Sequence, residues 1–506
     1  MGMQKKKNRT KQVFSLAALL LMLITVFSCF GAAAGSENEE QSNGTGKKYI
    51  IAMDTTFAPF EFEDSQGNRV GIDVELLEAI AKDQGFEYEA RAIGFDAALQ
   101  AVESGQADGI LAGCSITEER QKKMDFSTPY FDSGISMAVS KDNDSIQSYE
   151  DLRGKKVAVK VGTEGATLAN KLSEQYGFSV VTFDDSANMY EDVKLGNTAA
   201  CFEDYPVLGY AISQDIGLKL VGEKEAGSSY GLGVKKGQNA ELLQMFNDGL
   251  ENVKASGEYQ RILDSYISSG DGTAANVESN EGVNFFTLLG TTFPRFVQAA
   301  GVTLWITAVS LVFAVVLGLL FCALRLSKYK VLHAITRVYL WVIRGTPVIV
   351  QAFMIYFGIP KLLGFTMPVE VASIITLTLN AGAYLSEIFR SGIEAVDVGQ
   401  MEAARSLGLP YMKTMQKVIL PQAARIVIPS VINQFIITLK DSSILSVIGL
   451  AELTKVGKAI VAQNLESFNT YLILAIYYLI LVSLLTALSA VVERRLRRGK
   501  LKGKGN

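Results

Sequence analysis

Ten residues between positions 54 and 204 carry groups from which a site for a small polar molecule can be built. They are Asp54, Phe57, Phe95, Gly113, Ser115, Arg120, Lys160, Thr163, Glu203 and Asp204. Together they offer two cations, three carboxylates, two hydroxyls and two aromatic walls. A free α-amino acid requires such a set: a cation for its carboxylate, an anion for its ammonium, hydroxyls and amides for the remaining lone pairs, and apolar walls to exclude water. Arginine suits the carboxylate because its planar fork donates two parallel hydrogen bonds. Taken singly, each residue has a plainer reading. Phe57 and Phe95 fit an ordinary core, Arg120 in EERQKKMDFS fits a solvated charged face, and Asp54 and Asp204 fit helix caps. Their joint position after successive strands shifts the balance.

Those strands are read from the alternation of short apolar runs with amphipathic stretches. YIIAMD (49–54), FEYEARAI, ADGILAG, KKVAVKVG, FSVVTFDD and TAACFED read as strands. GIDVELLEAIAKDQG (71–85) places Val74, Leu77, Ile80 and Ala81 on one helical face and ends at Gly85. FDAALQAVESGQ, GATLANKLSEQYG, SANMYEDVKLGN and YPVLGYAISQD read as further helices. Such alternation predicts an α/β fold with largely parallel sheets, and ligands in such folds collect beyond the strand C-termini, where the ten residues lie.

The segments DTTFAPFEF, GIDVELLEAIAKD, SITEERQKKMDFSTPY and VAVKVGT resemble the periplasmic-type amino-acid-binding proteins, the glutamine-binding group in particular. The resemblance covers nearly all of 48–268. It implies a periplasmic-binding-protein type II domain of two α/β lobes, about 48–132 with 228–268 and about 138–225, joined by two crossover strands and closing like a hinge. It further implies that Arg120, helped by Ser115, holds the α-carboxylate. Asp204 and the Gly113 carbonyl hold the ammonium, and Phe57 and Phe95 sandwich the side chain. Lys160 and Asp54 form the specificity pair. One donor and one acceptor suit a side-chain amide, which favours glutamine, with asparagine, glutamate or another polar amino acid as alternatives. Two residues depart from the glutamine-binding pattern: Glu203 replaces His and Glu164 replaces Gly. An added acid here brings in asparagine or deters glutamate by repulsion.

The chain of 506 residues is divided in charge. Residues 285–506 hold 22 Lys+Arg and 9 Asp+Glu, a net +13, whereas 1–284 hold 26 and 43, a net −17. The basic half is also the apolar half, as expected of a membrane protein with an appended soluble domain. Lys5, Lys6, Lys7, Arg9 and Lys11 precede the apolar run 13–27 and then Ala32, Ala33 and Ala34, the order of a secretory signal over 1–34. Val26-Phe27-Ser28-Cys29 is a loose lipidation motif, and an uncleaved anchor is the third reading. Each puts the following domain outside the cell. Residues 269–284 read as a flexible linker that raises the effective concentration of the tethered receptor.

Five apolar spans follow, at about 302–324, 338–357, 369–389, 427–448 and 470–492, each near the ~20 residues needed to cross a bilayer. They predict an all-α transmembrane domain of five helices over 285–500. Arg325, Lys328, Lys330 and Arg337, and seven Lys+Arg between Arg494 and Lys504, then fall inside, which obeys the positive-inside rule and places the C-terminus in the cytoplasm. Arg344, Asn380, Glu387, Lys440 and Asp441 are polar groups inside spans; Lys440 and Asp441 can neutralise one another, and Arg344 can snorkel. Within 390–426, Glu402-Ala403-Ala404, Gly408, Val418 and Leu420-Pro421 resemble the EAA loop of ABC importer permeases, with Val418 in place of Ile. IRGTPVIVQAFMIYFG and LKDSSILSVIGLAEL resemble permeases of the polar amino-acid uptake family. The loop reads as a helix, a glycine-permitted turn and a second helix, a shape that fills a groove on a partner protein.

No G-x-x-x-x-G-K-[ST] occurs, so the expectation is a separate ATPase subunit, in two copies, holding ATP while this chain binds no cofactor. Five helices enclose a path poorly, so a homodimer in the plasma membrane is expected. Single His333 and the widely spaced Cys29, Cys114, Cys201 and Cys322 leave little material for triads, zinc sites or a disulfide framework. The acidic soluble part argues against nucleic acid as a partner. An amino-acid-gated channel would call for a T-V-G-Y-G-like filter, a dehydratase would not need five spans, and a chemosensory receptor would need a cytoplasmic signalling region. The reading is therefore the receptor–permease subunit of an ABC importer for a polar amino acid, without chemistry of its own.

Overall fold

The computed structural model describes residues 47–64, 67–267, 284–327, 329–464 and 467–502. The signal segment 1–34 lies outside the described residues, as does the linker apart from Asn284. Twelve strands carry the first domain: β1 (Tyr49–Met53), β2 (Phe62–Glu63), β3 (Arg69–Val70), β4 (Tyr88–Ala92), β5 (Gly109–Ile110), β6 (Met124–Phe126), β7 (Phe131–Ser140), β8 (Lys156–Lys160), β9 (Ser179–Phe183), β10 (Ala200–Asp204), β11 (Leu218–Tyr230) and β12 (Gly233–Lys235). They form two five-stranded sheets, ordered β4-β1-β5-β12-β6 and β11-β7-β10-β8-β9, and a small β2–β3 hairpin. β1 pairs in parallel with β4 and β5, and β8 with β9 and β10; the strands that return, β12, β7 and β11, pair antiparallel. The long strands β7 and β11, of 10 and 13 residues, run from one lobe to the other, so the two-lobed fold with two crossovers is as expected.

The helix predicted at 71–85 spans Ile72–Gln84, and Gly85 ends it with φ 71°, accepted without a Cβ penalty. Its buried face differs from expectation. Ile72, Asp73, Leu76, Leu77, Ile80 and Ala81 turn inward, while Val74 is only half-buried, because the face is shared between the sheet and the helix Ala240–Ala255.

The helical region departs from five straight spans. Among the described residues, four helices are long and apolar enough to cross a membrane: Phe285–Arg325, Val369–Glu394, Tyr411–Ile448 and Ser467–Val491. The stretch expected as the second span is a pair, Lys330–Gly345 and Val348–Leu363, bent by 108°, which brings the spans to five where the pair counts as one. Pro347 lacks an N–H and pushes Thr346 to φ −119°, ψ 144°, which stops the first helix. The first span begins at Phe285 rather than 302. Thr291, Thr292 and Arg295 dilute its hydropathy, yet Leu288, Phe296 and Ala299 bury against Leu453, Ile460, Ile473 and Leu474 and keep the helix going. The fourth begins at Tyr411 rather than 427, so the second helix of the 390–426 segment is its lower part. In the last, only 11% of the most apolar stretch is buried, which leaves its apolar side chains facing outward.

The polar groups inside the spans have definite surroundings. Glu387 pairs with Arg325 and with Arg390 at 3.0 Å. Arg344 is exposed, with its guanidinium 5.4 Å from the Tyr384 ring centre. Among the described residues Lys440 and Asp441 form no ion pair. Asn380 is buried.

The described residues from Lys48 onward form one unit, and the lobes meet the helices at a defined set of points. Arg295 pairs with Glu63. The Gln106 side chain accepts from Met367 N–H at 2.9 Å and donates to the Phe365 carbonyl at 3.4 Å. Lys455 Nζ donates to the Ala92 and Gly449 carbonyls, both at 2.7 Å. Tyr471 Oη–H donates to Asn188 Oδ1 at 3.2 Å. These points lie in the first turns of the span Phe285–Arg325, between the bent pair and Val369–Glu394, and from the helix Leu453–Asn464 to the first turns of the last span, which a serial traverse places on one side. Val369–Glu394, 26 residues and about 39 Å at 1.5 Å per residue, runs from that side to the 395–410 turn at the other.

Candidate functional site

The strand ends converge where the two lobes face each other. Asp54, just after β1, and Lys160, closing β8, form an ion pair across the cleft, with each side chain only 1% exposed. Asp54 Oδ1 also accepts the Thr55 N–H at 2.6 Å. The Lys160 ammonium lies 5.3 Å from the Phe57 ring centre. Burial alone would lower its pKa, but Asp54 first and Glu203 next outweigh burial and raise it, so the cation persists in the dry cleft. Thr163 Oγ1–H donates to the Lys160 carbonyl at 2.8 Å while its oxygen caps the helix Glu164–Tyr176 through the Ala166 N–H.

Arg120 closes the other side. Its guanidinium donates to the Ser115 carbonyl at 2.8 Å and, across the cleft, to the Gly162 carbonyl at 3.0 Å, with its carbon 5.0 Å from the Phe95 ring centre. Phe57 packs against Gly113, whose φ is 50°. A Cβ there would lie 2.2 Å from Phe57 Cε1, so only glycine lets the ring stand at this wall. Two cross-cleft contacts, Asp54–Lys160 and Arg120–Gly162, thus hold the lobes closed.

At the end of β10, Glu203 accepts from the Ser186 hydroxyl at 2.8 Å and the Asp204 N–H at 3.2 Å. Asp204 occupies the N-cap position of Tyr205–Ser213 but makes no side-chain capping bond, so the cap reading fails there. Its Oδ1 is buried without a hydrogen-bond donor among the described residues. Burial, then Glu203, raises its pKa well above the usual carboxylate range. A cation reaching Oδ1 would satisfy it. All ten expected residues therefore gather in one cleft, with Asp54, Phe57, Phe95, Ser115, Lys160, Thr163, Glu203 and Asp204 all buried.

Sequence reasoning passes over two carboxyls behind this wall, Glu61 and Asp73. Asp73 Oδ2 accepts from the Gly113 N–H and the Tyr130 O–H, both at 2.8 Å. Burial lifts Asp73 to about 6, although those donors oppose the rise. Glu61 is fully buried, and burial, then Asp73 and Asp54, raises it well above its ordinary value. Neither Glu61 oxygen, nor Asp73 Oδ1, meets a donor among the described residues, so a proton on Glu61 directed at Asp73 satisfies both. The only hint in sequence is an acid between the two phenylalanines of PFEF. A raised folded-state pKa gives stability that is full below the unfolded value near 4.3 and lost as pH rises. Glu61→Gln supplies a permanent donor, so its melting temperature relative to the parent should climb between pH 5 and pH 8, by about 2–4 °C for each kcal/mol. An offset that does not change with pH would show that Glu61 is ionised in the fold.

At the far end of the helical region, Val398–Ser406 carries Glu402, Ala403 and Ala404, and Gly408 follows with φ 86°. Only Ala404 of these is buried; Glu402, Ala403, Gly408 and Pro421 are exposed. Leu407, Tyr411 and Met412 beside them are exposed as well, while Val396, Ile419 and Ala423 tie the turn to the helices.

Residues 49–269 match the bacterial extracellular solute-binding proteins, family 3, and residues 310–498 match the binding-protein-dependent transport system inner membrane component. The chain is 37% identical to the arginine transport system permease protein ArtQ of Bacillus subtilis, over 40% of this chain and 93% of that protein. It is 36% identical to the glutamine transport system permease protein GlnP of Escherichia coli K12, over 40% of this chain and 94% of that one. Among solved structures, the second substrate-binding domain of Lactococcus lactis GlnP, in an open conformation, is 44% identical, covers 45% of this chain and 99% of that one, and superposes with a TM-score of 0.35.

Proposed function

Because the chain belongs to the binding-protein-dependent inner-membrane permeases of amino-acid ABC importers and carries a family 3 solute-binding domain on the same polypeptide, we propose that it captures glutamine and passes it through its own membrane helices. The observation that carries this reading is the cross-cleft Asp54–Lys160 pair beside the undonated Asp204 Oδ1. Arg120 takes the α-carboxylate with help from Ser115. Asp204 and the Gly113 carbonyl take the ammonium, and Phe57 and Phe95 flank the side chain, whose amide meets Lys160 and Asp54. Lys160 repels a guanidinium at that end, which favours glutamine over arginine. The acids Asp54, Glu203 and Asp204 outnumber the two cations, which supports arginine as the second reading. Asparagine or glutamate would use the same backbone contacts. Calorimetry of the full chain in detergent with glutamine, asparagine, glutamate and arginine tests this. Glutamine should bind at least tenfold tighter than arginine; arginine first would overturn the glutamine assignment and leave the importer intact.

The lobes would face outside and the 395–410 turn the cytoplasm, consistent with the basic C-terminal segment. A homodimer in the plasma membrane, surrounded by lipid, would dock two ATPase subunits at Glu402, Ala403, Ala404, Gly408 and Pro421. ATP stays on those subunits and no cofactor binds this chain. The exposed Leu407, Tyr411 and Met412 give that turn an apolar surface to bury. A Cβ on Gly408 would meet nothing, so substitution acts through backbone strain of roughly 1–2 kcal/mol and through bulk at the interface. Gly408→Val should leave amino-acid affinity intact and cut ATP-driven uptake into vesicles at least tenfold. Undiminished uptake would remove Gly408 from the docking surface.

A further inference from the structure

A cavity of about 530 Å³ lies where the two lobes meet the first long helix. Its size falls within the roughly 300–1,000 Å³ of small-molecule sites. Lobe one contributes Thr56, which adjoins Phe57 of the cleft. Lobe two contributes Ser186, whose hydroxyl is bonded to Glu203. The helix Phe285–Arg325 contributes Thr291 and Arg295, and Glu63 of β2 lines the cavity beside Arg295, in direct contact with it. On each lobe, therefore, one residue of the cavity wall neighbours a cleft residue, and a membrane helix forms the third wall.

The Arg295–Glu63 pair at this wall is partly hydrated, with side chains 17% and 25% exposed. Water reaches both charges there, so the pair is held less tightly than the sealed Asp54–Lys160 pair. A zwitterion carries the complementary pair of charges, and can exchange for the contact by offering its carboxylate to the guanidinium and its ammonium to Glu63. The exchange keeps every charge partnered and has a small free-energy change in either direction. That suits a site that a solute enters and leaves rather than one that stores it. We propose that this cavity is a transfer site for the α-amino-acid substrate between the receptor cleft and the membrane path, with Arg295 and Glu63 as its zwitterion-binding groups. The proposal rests on the amino-acid import reading above and adds a second, weaker site to it.

The test uses the full chain reconstituted with its ATPase in proteoliposomes, with glutamine or whichever amino acid calorimetry selects. Arg295→Gln and Glu63→Gln are each expected to reduce uptake at saturating solute at least tenfold. Cleft affinity should stay within twofold of the parent, and solute-stimulated ATP hydrolysis should persist. Thr291→Trp, which fills the cavity while keeping both charged groups, should do the same. Were uptake and stimulated hydrolysis to fall together in all three, the pair would be a docking contact alone and the transfer site would be refuted. Full uptake with the cavity filled would refute it equally. If the unaltered chain accumulated no amino acid, the import reading itself would fail, a separate outcome.

Discussion

Replacing Lys160 by methionine is expected to lower glutamine affinity roughly 10²- to 10³-fold. In the closed cleft Lys160 and Asp54 are partnered, and both are withdrawn from water. Removing the cation leaves Asp54 with the Thr55 N–H but no opposite charge. Breaking a buried pair from one side costs about 3–5 kcal/mol, because the remaining charge is stranded. When the lobes part, both groups meet water, so the loss falls on closure and therefore on binding, not on the folding of either lobe. Three results follow in calorimetry and melting. Glutamine affinity falls, the ligand-free melting temperature changes little, and Asp54→Asn combined with Lys160→Met recovers part of the loss. The specificity role predicts one thing more: glutamine should lose more than norvaline, which has no side-chain amide. Equal losses for both ligands would reduce the pair to a latch between the lobes.

The two-lobed domain was legible because each strand and helix there is short and locally encoded. β8 and β10 are apolar runs ended by polar groups, and Gly85 and Gly177 stop their helices in the left-handed region. The ten residues come together for a related reason, since a fold that opens its strand ends into a cleft gathers there the residues that follow its strands. What escaped depended on distant chain. Glu61 and Asp73 are ordinary surface residue types until Gly113 and Tyr130, 40 and 57 residues beyond Asp73, bury them together. The upstream part of the first membrane helix looked too polar to join the span, because its partners Leu453 and Ile460 come more than 150 residues later. The break at Pro347 was visible as a residue, but an apolar window averages over it. The lobe-to-helix contacts through Arg295, Gln106, Lys455 and Tyr471 have no sequence period at all.

Arg120 carries the second large expectation: Arg120→Ala should weaken amino-acid binding on the order of 10²- to 10⁴-fold. The guanidinium already donates to carbonyls of both lobes, at Ser115 and Gly162, and lies over Phe95, so its fork is oriented before any carboxylate arrives. Charge-assisted hydrogen bonds contribute about 1.5–3 kcal/mol each, and a bidentate carboxylate forms two. Arg120→Lys keeps the charge but loses the plane, the second donor and the stacking, so it should still cost at least tenfold. The loss can be traced to one ligand group by pairing the variant with 4-aminobutyramide, which is glutamine without its α-carboxylate. The parent should discriminate strongly between glutamine and this analogue, whereas Arg120→Ala should bind the two with nearly equal, weak affinity. If the variant kept the parent's discrimination, the carboxylate would be held elsewhere, and Arg120 would serve only to bring Gly162 and Ser115 together. Because that contact is itself a closing contact, closure without ligand should also become rarer in Arg120→Ala. Labels on the two lobes would report a more open resting population, while an Arg120 that served the carboxylate alone would leave the resting state as it was.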